Sequence, residues 1–283
     1  MTELDGQPGE QAQFNHTGSL TVAVLAGLLL ALTARAGATQ LLVAVAVLQA
    51  VLAFAWVLGT ALPGRRGGLV IAAACAAAAD VTVSVWPHGR LGTLLAVLGL
   101  AVPAMFVHQL SRGAVRVRAV DSLGGIALLV LAEVALPALL QLRHEFGGPS
   151  AGGLVVAGVA AAVAGALVVG YLVDMIIAAP RFDPEIPRGL LALVASAGLG
   201  GSIGYLMMQA PRLPQFANGR GAFVGAALGA LVALLAVGAA FVEQGVPMPD
   251  GGFAQRVRPV LGVLVPISVL APVAFLLCLA IRV

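Results

Sequence analysis

Residues 39–62 read TQLLVAVAVLQAVLAFAWVLGTAL, without a single Asp, Glu, Lys or Arg. About 20 predominantly apolar residues suffice to carry a helix across the hydrocarbon of a bilayer. This run reaches that length. Four more stretches do the same with no charged residue, at 146–173, 189–211, 221–242 and 259–281.

The composition agrees with the runs. Of the 283 residues, 60% are hydrophobic and 10% are charged, and the mean hydropathy is +1.05. Soluble domains carry roughly 25% charged residues. A large buried soluble core is excluded by run length. A β-barrel is excluded too, because barrel strands alternate over about ten residues, whereas these runs are continuous and twice as long. The sequence therefore predicts an all-α, polytopic transmembrane helical bundle.

Nine spans fit best, at 19–34, 39–62, 68–87, 91–110, 120–140, 151–178, 189–209, 220–242 and 259–281. The first is short and is interrupted by Arg35, so eight is the alternative count. Pro and Gly punctuate the breaks, as in Pro63-Gly64-Arg65-Arg66-Gly67 and Gly147-Gly148-Pro149-Ser150. The domain reading is a disordered polar tail over 1–18 and a single transmembrane domain over 19–283. No loop is long enough to hold a separate soluble domain. The tail is acidic and has no Lys or Arg, so it lacks the basic region of a signal peptide.

All 15 basic residues are arginine. They lie singly or in short groups between the spans, where the loop charges of a membrane protein belong. The net charge of +3 and pI near 9.5 are therefore no sign of nucleic-acid binding. With nine spans, nine arginines fall on the N-terminal side and six on the other, which leans toward a cytoplasmic N-terminus. The run 111–118, with Arg112, Arg116 and Arg118, is the strongest basic element; it reads as a topogenic loop, with contact to anionic headgroups the sharper alternative. The abundance of Ala, Gly and Val and the absence of Lys suggest a GC-rich bacterial genome, hence a bacterial cytoplasmic membrane. Cys75 and Cys278 lie within spans, far apart, and read as small buried residues rather than a disulfide or metal motif.

Three acidic side chains interrupt the apolar runs: Asp80, Glu133 and Asp174. A carboxylate at membrane depth is costly, which makes each a candidate for binding a substrate, proton or cation. His108 and Gln109 close the fourth span and Gln209 the seventh, and they join the candidates. Each carboxylate also has a plainer reading. Asp174 has Arg181 two turns away as an ion-pair partner. Asp80 has Ser84 one turn on, and the Trp86–Arg90 turn beyond it. Glu133 has no basic residue within two turns and is hardest to explain by local pairing.

Gly221, Gly225 and Gly229 form a ladder at spacing four, and Gly200 and Gly204 form a second. Small residues at this spacing let helices approach closely, and packing within the bundle is favoured over dimerisation. Gly198–Gly204 superficially resembles a nucleotide-binding glycine loop but lies inside an apolar span, the wrong context. Pro103, Pro137, Pro266 and Pro272 fall within spans; the last two could break the final one, as at transporter binding sites, although a kinked structural helix is the commoner outcome. Spans three to five can also be laid against six to eight, with Asp80 against Asp174 and Glu133-x-x-x-Pro137 against Glu243-x-x-x-Pro247, but the spacings drift by up to ten residues and Ala/Gly/Val-rich sequence produces such echoes easily.

Nucleotide-binding, zinc-protease and serine-hydrolase motifs are absent, as is metal-ligand spacing among the histidines. No catalytic residue, metal site or cofactor is assigned. The expected partner is the lipid bilayer, with a membrane-protein partner or homo-oligomer left open. Three function classes follow in order: a secondary transporter or flippase using buried carboxylates, a non-catalytic subunit of an envelope or transport complex, and an intramembrane lipid enzyme.

Overall fold

The computed structural model describes residues 16–60, 63–87, 91–112, 118–147, 149–177, 179–183, 186–245 and 252–282. Most of the N-terminal tail, much of the basic strip at 113–117 and the Pro247 half of the sequence echo lie outside them. The helices in chain order are α1 (His16–Ala36), α2 (Ala38–Gly59), α3 (Arg65–Val85), α4 (Gly92–Ser111), α5 (Ala119–Ala135), α6 (Ala138–Glu145), α7 (Pro149–Ile176), α8 (Leu190–Met208), α9 (Arg220–Gly245) and α10 (Gly252–Arg282). Between α7 and α8, strands β1 (Arg181–Asp183) and β2 (Ile186–Gly189) pair antiparallel. With α5 and α6 counted as one span, nine helices among the described residues are long and apolar enough to cross a membrane. The chain is a multi-pass helical membrane protein.

These segments are helical because hydrocarbon offers no hydrogen bonds, and a helix satisfies its own backbone. Their outward surfaces are as apolar as their packed ones. Leu100 and Leu206 are each about three-quarters exposed in the isolated chain, at 74% and 75%, a surface suited to lipid. The span formed by α5 and α6 and the span α7 are the most enclosed. Helix α7 packs on α1, α6, α8 and α9, while α10 touches α1, α2, α5 and α9, and α3, α4 and α5 pack on one another.

Two local features depart from the sequence reading. Arg35 does not interrupt the first span but sits in the last turn of a 21-residue α1. The last span follows the commoner course of a continuous helix, with α10 running through Pro259, Pro266 and Pro272. The break comes instead at Pro137, between α5 and α6. A proline removes the N–H that would bond the carbonyl four residues back. In α10 the carbonyl freed by Pro266, that of Gly262, accepts from the Tyr171 hydroxyl at 3.2 Å.

At the face away from the N-terminus, arginines cap helix ends. Arg143 Nε donates to the Ala34 carbonyl at the end of α1, at 3.2 Å. Arg220 Nη1 donates to the Ile281 carbonyl at the end of α10, at 3.3 Å. Arg282 Nη1 donates to both the main-chain carbonyl and a carboxylate oxygen of Glu145, each at 2.9 Å. The last carbonyls of a helix lack intrahelical partners, and a cation there also opposes the helix dipole.

The two glycine ladders face each other across α8 and α9. A Cβ on Gly225 would fall 2.1 Å from the Gly200 carbonyl oxygen, and one on Gly204 would fall 2.3 Å from that of Gly221. Gly229 is closed off in the same way by the Ser196 carbonyl, 2.4 Å from its Cβ position. Only hydrogen fits at these positions, so the backbones meet directly. Gly198 is on the same helix but its Cβ position is open. Gly225→Leu is therefore expected to lower stability in detergent by about 1–3 kcal/mol through forced separation of the helices. Gly198→Leu is expected to leave the melting temperature unchanged, and paired thermal melts check both.

Candidate functional site: a buried carboxyl pair

Glu133 lies midway along the α5–α6 span, with 1% of its surface exposed. Its neighbours Ala132 and Val134 are fully buried. Neither carboxyl oxygen of Glu133 has a hydrogen-bond partner. Its main-chain carbonyl is also special, because Pro137 stands four residues on and cannot donate to it. Gln49 Nε2, from the middle of α2, supplies the missing bond at 2.9 Å.

Asp80, on α3, is half-buried and within electrostatic reach of Glu133. Its carboxyl group interacts with the Gln49 side chain, while Oδ1 is buried without a hydrogen-bond partner. Ser84 does not bind this carboxyl group. Its hydroxyl donates to the Asp80 main-chain carbonyl at 2.7 Å, the usual bond of a serine within a helix. Three helices thus bring two carboxyl groups and one amide together inside the bundle. Such an arrangement can take up and release a cation, because two like charges in a low-dielectric interior repel unless one is neutralised.

Asp174 belongs to a different place and a different chemistry. Its expected partner was Arg181, but the ion pair forms with Arg188, at 3.2 Å between Nη1 and Oδ2. The reason is the β1–β2 hairpin, which turns the chain back so that β2 lies against α7, while Arg181 stays exposed on β1. Asp174 Oδ1 also accepts from the Gly189 N–H at 3.0 Å. The Arg188 guanidinium stacks 4.0 Å from the Tyr171 ring centroid, and His16 meets the same ring edge-on at 6.3 Å. Both carboxyl oxygens are occupied and the charge is compensated. The cluster works as a latch holding the hairpin to the bundle.

Gln109 is likewise committed. It donates to Ser122 Oγ at 2.9 Å and accepts from Arg112 Nη1 at 2.9 Å. Ser122 passes the chain on to the Pro63 carbonyl at 2.7 Å. This ties α3, α4 and α5 at the N-terminal face. His108 packs against Gly64 and Gly67, where a Cβ on Gly67 would fall 2.0 Å from the imidazole. Gln209 is exposed just past the end of α8. Of the six candidates, only Asp80 and Glu133 come together. The residue that joins them, Gln49, carries no charge and was not among the candidates; an amide at mid-span opposite a proline break was the available signal.

No known protein family, curated protein or solved structure matches this chain.

Removing Gln49 leaves a buried carbonyl unsatisfied, at a cost of about 1–3 kcal/mol. Gln49→Leu is therefore expected to destabilise the protein. Pro137→Ala restores an N–H for the same carbonyl, so adding it to Gln49→Leu is expected to recover part of the loss. A double-mutant cycle of melting temperatures in detergent reads the coupling directly.

The latch makes its own prediction. Arg188→Met leaves the Asp174 carboxylate buried and unpaired, which costs about 3–5 kcal/mol in comparable cases. The double substitution Arg188→Met with Asp174→Leu is expected to be far milder than Arg188→Met alone, again by thermal melts.

Proposed function

We propose that the chain is a secondary transporter or flippase for a small solute or lipid, coupled to an ion held by Glu133 and Asp80. On this reading it resides in a bacterial cytoplasmic membrane with its N-terminus in the cytoplasm. The observation that carries the reading is the Glu133 carboxyl group, enclosed at mid-span with both oxygens unpartnered. A merely structural carboxylate is expected to resemble Asp174, with its charge and hydrogen bonds satisfied. The proline break beside Glu133 supports the same reading, since interrupted helices recur at the binding sites of transporters.

The second reading is a non-catalytic membrane subunit. It is favoured by a hollow of about 650 Å³ opening outward between α8 and α9, lined by Gly198, Gly201, Ser202, Tyr205, Ala222 and Phe223. The small residues among these, Gly198, Gly201, Ser202 and Ala222, would let a transmembrane helix of a partner approach closely. By contrast, the apolar pocket between α1, α6, α7 and α10 measures only about 20 Å³.

Purification from the native membrane in mild detergent, with mass spectrometry of proteins and bound small molecules, separates the readings. A lone protein carrying a specific lipid or solute supports transport, and a stoichiometric protein partner supports the subunit. Liposome flux of the ligand so identified is expected to vanish in Glu133→Gln while the variant remains folded. Wild-type flux in that variant removes the transporter reading.

A further inference from the structure

Three arginines gather where α3 begins and α4 ends. Arg65 and Arg66 open α3 and are exposed. Arg112 follows the last turn of α4, and α4 packs on α3. Among the described residues none of the three forms an ion pair. Asp80 is the sole acidic residue of α3 and α4, and it lies about four turns along α3 from Arg66. Asp121, in the first turn of α5, is engaged by Arg118 at 2.8 Å.

Arg112 is held in place. Its Nη1 donates to Gln109 Oε1 at 2.9 Å, and Gln109 is tied through Ser122 to the Pro63 carbonyl. The guanidinium thereby lies against the turn at Gly64. A Cβ on Gly64 would fall 3.2 Å from Arg112 Nε and 3.1 Å from His108 Nε2. Gly64 has φ +78, a left-handed conformation that suits glycine. His108 Nε2 is buried and has no hydrogen-bond partner. A guanidinium and an open imidazole nitrogen thus flank the residue just before Arg65. The start of α3 beside them adds the positive end of a helix dipole.

Three uncompensated guanidinium groups call for an anion with several oxygens, and the planar fork of arginine matches phosphate. The surroundings decide which phosphate. One turn beyond Arg66, α3 exposes Val70, and just before Arg112, α4 exposes Val107 and Leu110. A ligand here meets cations at its polar end and apolar side chains along its length. We propose that Arg65, Arg66 and Arg112, with His108, bind the phosphate of an anionic phospholipid whose acyl chains lie along α3 and α4. The site stands apart from the carboxyl groups and holds under either functional reading. Basic sites beside membrane-spanning helices recognise lipid headgroups through this charge complementarity.

A diffuse attraction to a negative membrane surface predicts something different. It draws on every exposed arginine of the same face. Arg256 is one of these, on α10, which packs on α1, α2, α5 and α9 rather than on α3 or α4.

Native mass spectrometry of the purified full chain in detergent, titrated with phosphatidylglycerol or with phosphatidylcholine, tests the site. The first phosphatidylglycerol is expected to bind several times more tightly than phosphatidylcholine. Arg65→Gln, Arg66→Gln and Arg112→Gln are each expected to weaken it about fivefold, the share of one basic residue at an anionic surface. Arg256→Gln on the same face and Arg212→Gln on the other are expected to leave it unchanged. Absent or equal binding of the two lipids overturns the site. So does a loss in Arg256→Gln as large as in Arg66→Gln, which leaves diffuse attraction alone. Displacement of the bound lipid by inorganic phosphate overturns the lipid assignment in favour of a soluble phosphate compound. The Arg66 side chain makes no hydrogen bond or ion pair among the described residues. Arg66→Gln therefore decides the matter even if Arg112→Gln, which loses the Gln109 bond, fails to fold.

Discussion

Inside a bilayer a backbone carbonyl that loses its helical partner finds no water to replace it. This constraint organises the structure at several of its irregular points. Pro137 frees the carbonyl of Glu133, and Gln49 crosses from α2 to bond it. Pro266 frees the carbonyl of Gly262, and Tyr171 crosses from α7. At helix ends, Arg143 and Arg220 serve the last carbonyls of α1 and α10. The polar side chains of this apolar protein are spent largely on its own backbone. A polar side chain with no such duty therefore stands out, and Glu133 is the deepest example.

The two interior carboxyl sites solve the same electrostatic problem in opposite ways. Asp174 meets a guanidinium and a main-chain N–H, and the guanidinium is stacked on an aromatic face. Removing its charge from water is compensated by charge-assisted hydrogen bonds. The Glu133 carboxyl group has neither oxygen partnered, and only the main-chain carbonyl of the residue meets an amide. Its charge is not compensated by a fixed cation, so a mobile one must arrive or the group must be neutral. That contrast, rather than burial alone, separates the two carboxyl groups.

The spans were legible because hydropathy acts locally: a run such as 39–62 has no other stable place than a membrane. Packing of the glycine ladders was partly legible for the same reason, since a spacing of four fixes a face whatever lies opposite. The pairing of charges was not. Arg181 is the nearer arginine in sequence, but a two-stranded hairpin decides that Arg188 returns to Asp174. Nor was the fate of the prolines. Pro137 and Pro266 each free one carbonyl, and each carbonyl finds a partner on another helix, yet one helix breaks and the other continues. Local sequence identifies the defect, and tertiary contacts decide how it is repaired.

Gln49 shows most clearly what a scan for charge leaves behind. It sits in the same uncharged run that decides the fold, and it contributes nothing to that decision. Its importance comes from what α3 and α5 place beside it. An amide donates and accepts at once, so a single side chain can satisfy an orphaned carbonyl and hold a carboxyl group. Here the bond shown is the one to the Glu133 carbonyl, with the Asp80 side chain beside the same amide. One neutral residue thus joins the break at Pro137 to α2.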